Sequence, residues 1–360
     1  MKTLVAAAMI FGLCVPLPTR AAESPAPPSP VIAPAVELPP PAPPLDALKA
    51  CLAKPGNDEC LELLYRAELE KRSPGDLLDS VRRYEEQDAG LRLACHPVVH
   101  ALGREIFRVK GNIHDAFLAC DQTCHSGCYH GAVERFLRGD SKAPARHVTE
   151  SEILRKVPTA CDAKAERRVY FQCLHGLGHA LMYFTENEVD TSLKGCDALA
   201  DGWSRDSCYG GVFMENVVSS LAEKRMVSET DPHYPCNRVA EKYRGACYLM
   251  QTSRMQEMGL TEQQQFDECA KAGPFAADCA QSIGRDLSNL SRTGESATAA
   301  AACESAGGEA RRACIRGAVY ALIDNTWDLT YATPFCAALK EESGYCTQTS
   351  GDYLKMFMGK

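Results

Sequence analysis

The chain has 360 residues, 45% of them hydrophobic and 24% charged, with a formal net charge of -8. This is ordinary globular composition, with enough length for one repeat array or one or two domains. An acidic balance without any basic block argues against a nucleic-acid partner.

The amino terminus predicts a secretory signal over residues 1–22. Lys2 is its positive start, Leu4 to Val15 its apolar run, and Thr19-Arg-Ala21-Ala22 supplies small residues near a cleavage point. The apolar run is too short to span a bilayer stably, although a short membrane anchor is the alternative. No later stretch is apolar enough for a span, so the expectation is a soluble periplasmic or secreted protein. Residues 23–45 form a Pro/Ala-rich linker; its prolines deny it a helix ladder and leave an extended tether.

From Asp46 to the end, helix-forming residues dominate. Cys60 to Glu70 carries apolar residues at helical intervals. Ser73-Pro74 is a helix start, followed by one apolar stripe of Leu77, Leu78, Val81 and Tyr84.

Nineteen cysteines, less Cys14 in the signal, leave an even number, which in an exported chain predicts disulfides. They come in pairs: Cys161 with Cys173, Cys196 with Cys208, Cys236 with Cys247, Cys269 with Cys279, Cys303 with Cys314, and Cys336 with Cys346. Cys51 and Cys60 are a shorter version. Partners stand ten to twelve residues apart, and the pairs recur at roughly 33 to 40 residues. A period of that size predicts a stacked array. The unit is a helical hairpin whose turn is stapled by its own disulfide, so the predicted fold is an all-α solenoid over 46–360. A glycine stands three residues after the second cysteine in Cys128-Tyr-His-Gly131, Cys173-Leu-His-Gly176, Cys208-Tyr-Gly-Gly211 and Cys314-Ile-Arg-Gly317. These glycines are expected where one helix backbone approaches its neighbour.

With one cysteine pair per hairpin and this repeat length, residues 46–360 resemble the disulfide-stapled, Sel1-like helical repeats of exported bacterial proteins. The phrase Leu-Gly-x-x-Tyr-x-x-Gly typical of those repeats is absent. The resemblance implies an α-solenoid and no particular activity.

Four cysteines break the rhythm. Repeat position pairs Cys120 with Cys128 and leaves Cys95 and Cys124 for each other, although connectivity does not follow from sequence. Cys120-Asp-Gln-Thr-Cys124-His125 has three residues between its cysteines where c-type haem attachment uses two, so haem is disfavoured.

The histidines carry the functional signal. His96 and His100, His130 and Glu134, and His175 and His179 are spaced i, i+4 and lie one helical turn apart on one face. Each pair is a half-site for a transition metal, and each follows a helix-opening cysteine at a similar distance. Five of the nine histidines of the chain fall in these three windows. The six residues are therefore the candidate ligands of a mono- or dinuclear site in the half spanning about 90–220, with structural repeats over about 221–360. Imidazole and carboxylate suit iron, copper, zinc or manganese, with iron or copper favoured over zinc.

Glu215 and Asp286, each seven residues after a cysteine, are weaker candidates for the same groove, and Arg104, Glu105 and Arg135 lie next to the ligand pairs, where they would support the ligands or bind an anionic substrate. Met250, Met255 and Met258 read first as core and second as a copper site. The function expected is an exported metalloenzyme with redox or oxygen-dependent chemistry. The alternative is a non-catalytic scaffold recognising a peptide, glycan or partner protein. A metal-dependent oxidoreductase and a binding module differ in one cheap observation, stoichiometric metal.

Overall fold

A computed structural model describes residues 42–54, 56–121, 123–139, 149–218 and 224–358, with backbone alone at His125, Ser126 and Asn325. The expected signal and most of the linker lie outside the described residues.

The described residues are all-helical. In chain order the helices are α1 (Leu45–Leu52), α2 (Asp58–Leu69), α3 (Pro74–Gln87), α4 (Ala89–Lys110), α5 (Ile113–Leu118) and α6 (Thr123–Arg138). Then come α7 (Glu150–Lys156), α8 (Arg167–Phe184), α9 (Val189–Asp197), α10 (Gly202–Val218), α11 (Glu241–Glu257) and α12 (Glu262–Cys269). The chain closes with α13 (Ala276–Arg292), α14 (Ser296–Ser305), α15 (Gly308–Thr326), α16 (Ala332–Ala338) and α17 (Ser343–Met358).

Local chemistry sets the helix ends. Ser73 caps α3 through a reciprocal box with Asp76, with Pro74 in the first turn. Asp88 caps α4, which stops at the left-handed Gly111. Ahead of α1, Ala42 donates its amide to Ser80 and the Pro43 carbonyl accepts from Tyr84. The folded body thus takes in the last residues of the proline-rich segment.

Among the described residues eight disulfides join the hairpins, each spanning 8 to 12 residues: 51–60, 120–128, 161–173, 196–208, 236–247, 269–279, 303–314 and 336–346. In the chain-entropy account each adds about 2 to 3 kcal/mol by restricting the unfolded chain. The expected bond between Cys95 and Cys124 is not among them: both are buried free thiols. Cys95 sits on α4 and Cys124 on α6, so a bond between them would cross two hairpins instead of closing one turn.

The long helices form a row in which α2, α4, α6, α8, α10, α11, α13, α15 and α17 each pack on the next. The row turns back on itself, because α17 also packs on α8. Phe357 on α17 meets Phe171 of α8 and Trp203 of α10 at ring centroids 5.5 and 6.4 Å apart.

Two apolar cores share α6. Cys128 and Ala132 belong to the core built on α1–α4, whereas Tyr129, Val133 and Leu137 belong to the core of the later helices. Both sets have i, i+4 spacing, so each is one stripe of the helix. The polar stripe of His130 and Glu134 lies at the seam, and both residues are buried.

Candidate metal centre

The first cluster comes from α4 and α6. On α4, His96 and His100 bring their Nε2 atoms to 3.1 Å. From α6, His130 places Nδ1 3.3 Å from His100 Nε2. The second cluster is on α8, where His175 and His179 bring their Nε2 atoms to 3.2 Å, and α10 adds Glu215. Ligands bound to one metal at about 2.0 to 2.1 Å stand about 3.0 to 3.4 Å apart in octahedral or tetrahedral geometry. The three nitrogen separations fall within that range.

The helices are held at this spacing by glycine. A Cβ on Gly131 would lie 2.0 Å from the carbonyl oxygen of His100, and one on Gly103 would lie 2.0 Å from that of Cys128. Only a residue without Cβ lets α4 and α6 approach so closely. The pattern recurs between α8 and α10, through Gly211 against His175 and Gly178 against Cys208. The residue expected there, Gly176, has only ordinary contacts with Phe117 and Tyr129.

The opposite ring nitrogens are anchored. His96 Nδ1 donates to the Cys124 carbonyl at 2.8 Å, and His179 Nδ1 faces the Glu215 carboxylate at 2.7 Å. A carbonyl only accepts, so the His96 proton sits on Nδ1 and its Nε2 offers a bare lone pair. The Glu215 carboxylate fixes His179 in the same sense. This is the outer hydrogen bonding that metal-binding imidazoles use. A backbone hydrogen bond at Ser207 holds His175.

Burial keeps His96, His130 and His175 neutral. It is the largest cause holding His96 and His175 down to about 3, with the neighbouring imidazoles adding to the effect. The same causes depress His130 well below the ordinary value. Neutral rings are the form that binds a cation. His130 is 2% exposed, and its Nε2 has no hydrogen-bond partner. That orphaned atom lies across the ring from the Nδ1 that faces His100, and a structural hydrogen-bond network would not leave it without a partner.

Glu134, expected as a ligand, is turned away from the convergence. Its Oε2 accepts from Arg104 Nη1 at 2.7 Å and lies 3.7 Å from His100 Nδ1, the nitrogen facing away from the cluster. Burial would raise the Glu134 carboxyl, but Arg104 and His100 hold it down at about 2. Arg104 is 1% exposed and also binds Glu62 at 2.6 Å and Asp58 at 2.8 Å. Glu105 pairs with Arg66 and Arg108, away from the rings.

Sequence spacing under-weighted Glu215. The available signal was its place on α10, seven residues after Cys208, as His179 and Glu134 stand six after theirs. Asp286 serves elsewhere, accepting from Thr252, Ser253 and Arg285. Met255 is core, and the Met250 sulfur accepts from Arg285. His233 bonds Tyr248 and Glu268. His147 and the side chain of His125 lie outside the described residues.

Three groups could each hold an ion: His96, His100 and His130; His130, His179 and Glu215; and Glu85, Cys95 and Cys124. No helix among the described residues is long and apolar enough to cross a membrane. No protein family, curated protein or solved structure matches this chain.

Proposed function

We propose that the chain is an exported metal-binding α-solenoid, stapled hairpin by hairpin, whose histidines hold two transition-metal ions for redox or oxygen-dependent chemistry. The observation that carries the reading is the convergence of imidazole nitrogens at 3.1 to 3.3 Å from three successive long helices. His96, His100 and His130 serve one ion. His179 serves the other with Glu215 and with His130 between the two, and His175 stands beside His179 at 3.2 Å.

An iron or copper pair would supply reversible electron exchange, which the protein's own side chains lack. The residues of the chain hold and orient. The Cys124 carbonyl and Glu215 fix ring tautomers, and Arg104 keeps Glu134 ionised behind His100. Eight disulfides suit folding in an oxidising compartment, in line with the signal expected from the sequence. The proline-rich stretch would then act as a tether.

Elemental analysis and an absorption spectrum of the tag-free, oxidised protein test this. Two ions per chain are expected at the histidines. The His175→Ala/His179→Ala variant should lose one and the His96→Ala/His100→Ala variant the other. Absence of stoichiometric metal, or metal indifferent to both variants, would sink the proposal.

A further inference from the structure

Among the described residues, the α3–α4 hairpin is the only one that turns without a disulfide. Its second helix carries the expected cysteine, Cys95. Ten residues earlier, where the other hairpins have their first cysteine, stands Glu85 on α3. A third group arrives from the next hairpin: Cys124, at the start of α6, donates its thiol to Glu85 Oε1. The donor atoms of Glu85, Cys95 and Cys124 lie within 4.8 Å of one another. Both thiols are buried and in no disulfide.

Two further features point at the same spot. Cys124 has φ 52°, the left-handed region that a non-glycine residue rarely adopts. That backbone turns its sulfur toward Glu85 while its carbonyl accepts from His96. Independently, the Tyr65 hydroxyl has no hydrogen-bond partner, although the residue is fully buried. It is near enough to Cys124 for the two to interact electrostatically.

We propose that Glu85, Cys95 and Cys124 form a second kind of metal site, for a thiophilic divalent cation of the zinc class, which staples α3, α4 and α6 where a disulfide closes other hairpins. Binding displaces one proton from each thiol, two in all, and Glu85 is the third anionic donor. Sulfurs bound at about 2.3 Å in tetrahedral geometry stand about 3.8 Å apart, so the donors need move only about 1 Å. The site shares no ligand with the histidine centre, although the Cys124 carbonyl anchors His96, so its test reads the thiols and not the imidazoles.

The test uses the full chain, stripped of metal without reductant and reloaded with Zn2+ or Co2+. Two thiols per chain should react with alkylating agent in metal-free protein and be protected once Zn2+ is added. Co2+ should give sulfur-to-metal charge-transfer absorption, lost in Cys95→Ser and kept in His175→Ala/His179→Ala. Should Cys95→Ser fold poorly, Glu85→Gln leaves both thiols in place and should weaken Zn2+ binding about tenfold or more. Peptide mapping that finds a Cys95–Cys124 disulfide in protein made with Zn2+ present would overturn the proposal. So would free thiols whose alkylation Zn2+ does not slow.

Discussion

The rings of His130 and His179 stack 4.0 Å apart between centroids and 21° from parallel. This contact joins the α4–α6 cluster to the α8–α10 cluster, since His130 also meets His96 and His100 edge-on at 5.2 and 5.3 Å. His130→Ala should therefore disturb both halves of the centre, whereas His96→Ala should disturb one. Metal content of the two variants, measured side by side, distinguishes these outcomes. Equal losses would contradict the linking role of His130.

Gly131→Ala should separate α4 from α6, because the new methyl would stand 2.0 Å from a backbone oxygen that cannot swing aside. Overpacking of this kind costs about 1 to 3 kcal/mol, and more where backbone must move. Thermal melting should show the loss together with reduced metal content. Gly202→Ala, with nothing within 4 Å of the added carbon, is the control and should melt near wild type.

Removing Arg104 leaves Glu134 buried without its main partner, so Arg104→Met should cost about 3 to 5 kcal/mol. Adding Glu134→Gln should restore part of that stability. The pair also responds to acid. Glu134 is depressed to about 2 from 4.5, so the stability it contributes is present above pH 4.5 and is lost as pH falls toward 2. Denaturant titration of wild type and Glu134→Gln across that window should show the wild type losing more.

The histidines give metal-free protein a second acid dependence. His96 and His175 titrate at about 3 in the folded state against 6.5 in their ordinary state. Below pH 6.5 the unfolded chain takes up protons that the folded chain refuses, so stability falls as pH drops from 6.5 toward 3. His175→Gln should remove part of this slope, on the order of 2 kcal/mol between pH 7 and pH 4.5. Urea midpoints at the two pH values measure it.

Asp324 works in the opposite sense. Burial raises its carboxyl to about 7, against the opposing hydrogen bond from Tyr353. The folded state holds the proton more tightly, so stability falls as pH rises from about 4 to 7. Asp324→Asn should stabilise the protein at pH 7.5 by on the order of 2 kcal/mol, given partial exposure, and do little at pH 3.5. Urea midpoints that shift equally at both pH values would contradict this.

Much of the fold is legible in local pattern. The paired cysteines mark hairpin turns because a disulfide spanning about ten residues can only join chain that doubles back at once. Ser73-Pro74 starts a helix because its side-chain cap and preset φ act within one turn. His96 and His100, or His175 and His179, share a face because 3.6 residues per turn places them there.

Partners between helices are not legible in this way. The same spacing that aligns His130 with Glu134 cannot say that Glu134 meets Arg104 while His130 meets His179. It cannot say that Gly178 rather than Gly176 takes the close approach, since adjacent faces of α8 look alike until α10 is in place. Cys95 and Cys124 likewise have the spacing of neither a staple nor an isolated thiol.

By itself, then, the sequence determined the helices, the stapled hairpins and the three polar stripes that carry imidazoles. Each follows from interactions between residues a few positions apart. Only the tertiary structure decided that α17 returns to α8, that Glu215 backs His179, and that Glu85 joins two free thiols. Those outcomes depend on crossing angles and close packing between helices whose meeting residues stand from 10 (Glu85 and Cys95) to 186 (Phe171 and Phe357) apart in the chain, summed over many weak contacts that no local motif encodes.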